Sequence, residues 1–130
     1  MILVDSSVWI DFFNGEDKPH VEKLYKLLGN EIIASGDLIA VEVLQGFQNE
    51  HHFQKAKQVL EEILFFSLCN KELSMIAADN YRTLRKQGVT VRKTIDVIIG
   101  AFCIENNHKL LHHDRVFDPM EEFLGLQVVR

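Results

Sequence analysis

Met1-Ile2-Leu3-Val4-Asp5-Ser6-Ser7-Val8-Trp9-Ile10-Asp11-Phe12-Phe13 decides the fold, because a short apolar run ends on a carboxylate and the apolar period then changes. Ile2–Val4 carries no polar side chain, the pattern of a short strand buried on both faces. Beyond it, Trp9, Phe12 and Phe13 fall at helical spacing, Ser6-Ser7 supplies an N-cap, and Asn14-Gly15 stops the helix. A buried strand running straight into a helix opens a βαβ unit and so points to an α/β chain.

The same alternation continues outward. Lys18–Leu28 has a helical pattern ended by Gly29-Asn30, and Glu31–Ser35 reads as a second strand. Gly36-Asp37 opens a helix through Gln45. Glu50–Ile63 is amphipathic, with Phe53, Ala56, Val59, Leu60, Ile63 and Leu64 on one face, and Leu64–Leu68 reads as a third strand unless Phe65-Phe66 prolongs the helix. Lys71–Gln87 forms a helix ended by Gly88. Thr94 is expected to cap a helix from Ile95 to about Asn106, and Lys109–His113 and Leu126–Val129 supply the last strands. Short strands between helices predict a parallel sheet covered on both faces. With no internal repeat, low-complexity tract or linker, residues 1–130 are expected to form one domain.

At 130 residues the chain can bury roughly two thirds of its unfolded surface. Its 47% hydrophobic and 25% charged residues exclude disordered and fibrous classes. No apolar run reaches the ~18 residues of a membrane span, and the N-terminus lacks the basic start of a signal peptide, so a cytoplasmic, membrane-free protein is expected. Cys69 and Cys103 lie in apolar context without metal-ligand spacing and read as small core residues. Histidine pairs 51–52 and 112–113 make a poor zinc set, since adjacent side chains on a helix or strand diverge. Neither a GxGxxG nor a GxxxxGK[ST] phosphate loop occurs.

Four acids stand where carboxylates are costly. Asp5 ends the first strand, Glu42 lies within Leu38–Leu44, Asp96 sits between Ile95 and Val97-Ile98-Ile99, and Asp114 follows Leu110-Leu111-His112-His113. Each has an ordinary explanation: a helix cap for Asp5, a favourable helix start for Asp96, a solvent-facing turn of helix for Glu42, a tight turn for Asp114. Jointly they describe one cluster, because parallel sheets gather such residues beyond the carboxyl ends of their strands. Clustered carboxylates suit a hard cation, Mg²⁺ or Mn²⁺, and the chemistry that uses it is phosphodiester hydrolysis. Ser7 and Thr94 are short hydroxyl residues placed to support Asp5 and Asp96.

The formal charge of −5 argues against a generic basic nucleic-acid binder. Yet Arg82, Arg85, Lys86, Arg92 and Lys93 fall within twelve positions free of acid. They form either a solvated helix face or a phosphate-contacting patch beside the carboxylates. Trp9, Phe12 and Phe13 read as core or partner-facing residues before base-stacking ones.

Met1–Asp11, the Glu42 helix, Thr94-Ile-Asp-Val-Ile-Ile-Gly-Ala101 and Leu110-Leu-His-His-Asp-Arg-Val-Phe-Asp118 together resemble PIN-domain ribonucleases, the VapC toxins of bacterial toxin–antitoxin pairs above all. The resemblance covers essentially the whole chain. It implies a three-layer α/β/α sandwich on a parallel sheet and Mg²⁺- or Mn²⁺-dependent endonucleolytic RNA cleavage. It also implies a homodimer inhibited by a VapB-type antitoxin. Asp5, Glu42, Asp96 and Asp114 match the family's acidic quartet, and Ser7 its small hydroxyl residue. Arg92 matches a basic residue before the third acid, with a role in contacting RNA phosphate or the antitoxin, and Lys93 and Arg85 join it as candidate RNA contacts. Many relatives read Asp-Arg-Asp-Phe in the last motif, whereas Val116 replaces the second Asp here, leaving Asp118 two residues further on. Two other readings keep the acidic pocket: a PIN nuclease of RNA maturation without an antitoxin, and a non-catalytic binding module. A phospho-acceptor receiver fits poorly, because its lysine belongs near the end of a strand and Lys109 opens one.

Overall fold

Strand β1 (Ile2–Val4) runs through the middle of the molecule, every residue of it buried. In the computed structural model, which describes residues 1–130, it pairs in parallel with β2 (Ile33–Gly36) on one side and β4 (Lys109–Leu111) on the other. Strand β3 (Leu64–Phe66) adds in parallel to β2, giving the order β3-β2-β1-β4. The helices are α1 (Ser6–Phe13), α2 (Pro19–Leu27), α3 (Asp37–Leu44), α4 (Glu50–Glu62), α5 (Lys71–Lys86), α6 (Thr94–Glu105) and α7 (Asp118–Leu124).

This strand order fixes the layers. From β1 to β2 to β3 the chain steps in one direction, so right-handed crossovers put α1–α4 on one face. It then returns across the sheet to β4 through α5 and α6, which covers the opposite face. The contacts agree: α1 packs on α2 and α3, and α3 on α4, while α5 packs on α6 and α7. The result is the expected α/β/α sandwich with a parallel sheet. A 26-residue core joins the two layers through Leu3, Val4, Leu110 and Leu111, with Trp9 and Ile39 on one side and Ile99 and Leu84 on the other.

Reversal of direction at β1 creates a switch point between β1 and β4, whose carboxyl ends open a crevice. Asp5 follows β1 there, and the segment after β4 carries Asp114. Gly100 holds the α6 side of this frame closed: a Cβ on it would lie 2.5 Å from Met120 Sδ of α7.

Several local expectations are corrected. Of the two cap readings for α1, the structure takes Asp5 and not Ser6-Ser7: the Asp5 backbone is extended (φ −70°, ψ 156°) and its side chain accepts the Ser7 N–H. Lys93, not Thr94, occupies the N-cap position of α6, without a side-chain bond, and Thr94 is the first helical residue. Strand β2 starts at Ile33, and Glu31 forms only an isolated bridge with Leu28. Strand β3 ends at Phe66 and β4 at Leu111, each before the expected limit. Leu126–Val129 forms no strand and adds only a bridge between Val128 and Leu110. A 3₁₀ turn at Arg115–Phe117 and helix α7 fill the region where the sequence offers only a turn from Asp114 to Pro119. Pro119 instead stands in the first turn of the helix, where its missing N–H costs nothing.

Candidate active site

Asp5 is 3% exposed, and its Oδ2 accepts two hydrogen bonds, from the Ser7 N–H (3.0 Å) and the Ser7 Oγ–H (2.6 Å). Its Oδ1 is buried with no hydrogen-bond partner at all. A buried carboxylate oxygen left bare is costly unless a cation or proton meets it. Burial raises the Asp5 pKa against the opposing Ser7 hydrogen bonds, and the charge of Asp114 adds to the rise.

Asp96 stands in the first turn of α6 and is 7% exposed. Burial, followed by the charges of Asp5, Asp114 and Glu42, pushes its carboxyl up to about 7, with only Lys93 opposing. All four acids of the sequence reading therefore share one electrostatic neighbourhood. Glu42 reaches it from α3, its Oε1 accepting the Ser6 Oγ–H at 3.1 Å and its Oε2 lying 3.8 Å from Lys93 Nζ. Asp114 is the exposed member. It caps the 3₁₀ turn, its Oδ1 accepting the Val116 N–H at 3.0 Å.

The supporting residues divide. Ser7 is bonded directly to Asp5, whereas Thr94 lines a mainly apolar cavity of about 380 Å³ between α5 and α6, with Ala77, Tyr81 and Val97. Arg92 and Lys93 line a cleft of about 760 Å³ together with Asp96, Asp114 and Val116. Arg85 is exposed on α5 and does not line that cleft. Two contributors escaped the sequence reading. Ser6 anchors Glu42 across 36 residues, which no local pattern reveals, and Arg115 lines the cleft. Arg115 adjoins Asp114, so its position beside an acid at a strand end was the available signal.

The profile of the PIN domain matches residues 2–122. The chain belongs to the PIN-domain family. It is 28% identical over 129 residues to the VapC ribonuclease Mb1587 of Mycobacterium bovis, covering 98% of this chain and 96% of that one. It is 30% identical over 128 residues to ribonuclease VapC1 of Methanocaldococcus jannaschii, covering 98% of this chain and 85% of the relative. Among solved structures, VapBC2 from Rickettsia felis bound to a promoter DNA fragment matches with a TM-score of 0.78. At 16% identity, over 99% of this chain and 98% of that one, it shares the PIN fold.

The donor set of this PIN domain fits a hard divalent cation: Asp96 lies in the field of Asp5, Asp114 and Glu42, and Asp5 carries a bare buried oxygen. No three His, Cys, Asp or Glu side chains stand close enough to hold an ion as they are. Other candidates fall away on geometry. His112 packs on Phe117 while His113 stacks on His20, so the pair diverges as expected. Burial, with the Asp5 charge adding, pushes the Cys103 thiol up to about 12, which leaves it inert as a nucleophile. Trp9 is fully buried in the core, and Phe12 and Phe13 pack against it. No helix is long and apolar enough to cross a membrane.

Proposed function

We propose that this protein is a divalent-metal-dependent endoribonuclease of the VapC toxin type. The carrying observation is the bare, buried Asp5 Oδ1 within a four-carboxylate cluster at the switch point of the sheet. VapC ribonucleases aligned over 98% of the chain support the RNA substrate.

Asp5, Asp96 and Asp114 hold Mg²⁺ or Mn²⁺, and Glu42 completes the site by ligation or by positioning the attacking water. The cation supplies Lewis-acid stabilisation of charge on the phosphoryl oxygens. Ser7 keeps Asp5 Oδ2 occupied, so Oδ1 is the oxygen left for the ion. Ser6 does the same for Glu42 Oε1, leaving Oε2 toward Lys93 and the cleft. Arg92 and Lys93, with Arg115, neutralise RNA phosphates entering beside Asp96 and Asp114, and Arg85 extends this path along α5.

The toxin role supplies the partner. A VapB-type antitoxin covers the apolar shoulder of the site, where Ile10, Val43 and Phe47 line a shallow groove beside Glu42 and Val41 is 58% exposed. The active form is a homodimer in the cytoplasm. Incubation of purified protein with cellular RNA tests the chemistry. Cleavage is expected with Mg²⁺ or Mn²⁺ and none with EDTA or with Asp96→Ala. Cleavage indifferent to both overturns the assignment. Growth arrest on expression, relieved by Asp5→Ala or by a co-expressed antitoxin, separates a toxin from a nuclease of RNA maturation.

A further inference from the structure

Outside the carboxylate set, the densest group of titratable side chains is Asp11, Lys18, His20 and His113. His20, in the first turn of α2, is 6% exposed, unusually buried for so polar a ring. Its Nε2–H donates to Asp11 Oδ2 of α1 at 2.6 Å, and Lys18 Nζ lies 3.6 Å from the same oxygen. The ring face is used as well: it lies parallel to the ring of His113, with centroids 4.0 Å apart and planes 12° from parallel. His113 belongs to the loop that follows β4 and immediately precedes Asp114.

From His113 the contacts run into the candidate site. The His113 N–H donates to Ser7 Oγ at 3.0 Å, and Ser7 Oγ–H donates to Asp5 Oδ2 at 2.6 Å. A serine hydroxyl has a single proton. With an N–H held on its acceptor side, that proton is directed at Asp5, which leaves Oδ1 as the bare oxygen. On the other side of the loop, His112 Nδ1 accepts the Asp114 N–H at 3.2 Å and the His112 ring packs on Phe117. The loop bearing the fourth acid is thus pinned twice, by His112 on Phe117 and by His113 on His20.

We propose that His20 is a positioning residue of the active site. Fixed by Asp11, its ring is the platform on which His113 stacks, and through His113 it sets both the Ser7 hydroxyl and the Asp114 loop for cation binding. This rests on the metal-nuclease reading of the carboxylates. The plainer alternative is a buried histidine that only ties α2 to α1, which predicts lost stability and nothing at the site.

Mn²⁺ titration calorimetry on the metal-free full chain separates these readings, with thermal melts alongside. His20→Ala removes the platform, and His20→Phe keeps a flat ring without the bond to Asp11. His113→Ala removes the stack from the exposed side while keeping the backbone N–H, so it threatens folding least. Both alanine variants are expected to bind Mn²⁺ about 10–100-fold more weakly, the usual cost of losing support behind a metal ligand. His20→Phe is expected to recover most of that loss, and in the two alanine variants kcat for RNA is expected to fall with KM unchanged. Wild-type Mn²⁺ affinity in folded His113→Ala overturns the proposal, as does His20→Phe binding no better than His20→Ala. Absence of Mn²⁺ binding in the wild-type protein sinks the metal site itself, an outcome distinct from the other two.

Discussion

Asp5 and Asp114 follow neighbouring parallel strands, yet they are built in opposite ways. Asp5 is sealed in the core, with one oxygen bonded twice by Ser7 and the other bare. Asp114 is exposed on a 3₁₀ turn, and its side chain accepts only the Val116 N–H. One corner of the site is preformed by burial, and the other is carried on a surface loop. A buried, preformed donor loses little on binding a ligand, whereas an exposed one must first give up its hydration. The Asp5–Asp96 side therefore sets whether a cation binds, and the Asp114 side sets how tightly the site closes.

The largest expected effect breaks that comparison outright. Asp5→Ala or Asp96→Ala is expected to reduce RNA cleavage to the level seen with EDTA, measured on one labelled RNA. Asp114→Ala is expected to leave residual cleavage that recovers at raised Mn²⁺. Equal, unrecoverable losses at all three positions contradict the division into rigid and closing corners. Ser7→Ala comes next. With the carboxylates intact but Asp5 unheld, kcat is expected to fall about 10–100-fold, with RNA binding unchanged in a gel-shift assay.

A third prediction concerns stability. In the metal-free protein burial, followed by the charges of Asp5, Asp114 and Glu42, pushes the Asp96 carboxyl from its ordinary 3.8 up to about 7. The folded chain then holds a proton that the unfolded chain has released, so stability falls as pH rises between about 4 and 7. Asp96→Asn removes this penalty and is expected to raise the melting temperature at pH 8 while abolishing cleavage. Its advantage should shrink toward pH 4, and a lower melting temperature at pH 8 contradicts the buried-repulsion account. The smallest effect is sought at Val116, which lines the cleft beside Asp96 and Asp114. Val116→Asp adds a donor on the exposed side and is expected to lower the Mn²⁺ concentration needed for half-maximal cleavage. An unchanged requirement shows that the fourth corner does not limit metal binding.

The sequence disclosed the rigid corner better than the closing one, for physical reasons. Strand β1 is short and wholly apolar, so the carboxylate that ends it stands out, and Asp96 stands out within Ile95–Ile99 in the same way. Periodicity also conveyed the alternation of strands and helices, and with it the switch point. Residues 114–124 hid their structure because Asp118-Pro119 signals a turn as readily as a helix start, and the choice depends on how Met120 and Phe117 pack. The expected strand at Leu126–Val129 is apolar enough, but only Val128 finds a bridge partner. Support for the carboxylates is nonlocal throughout. Ser6 meets Glu42 across 36 positions and Ser7 meets His113 across 106, pairings that only the folded chain creates. Thr94 marks the converse error, a hydroxyl next to an acid that faces a different cavity.

The central claim is that Asp5, Glu42, Asp96 and Asp114 form one site for a divalent cation. Mn²⁺ binding to the metal-free protein, compared between wild type and Asp96→Asn at pH 8, tests it most directly. The account predicts saturable binding to the wild type that disappears in a fully folded Asp96→Asn protein. Equal binding by both, or none by the wild type, contradicts it.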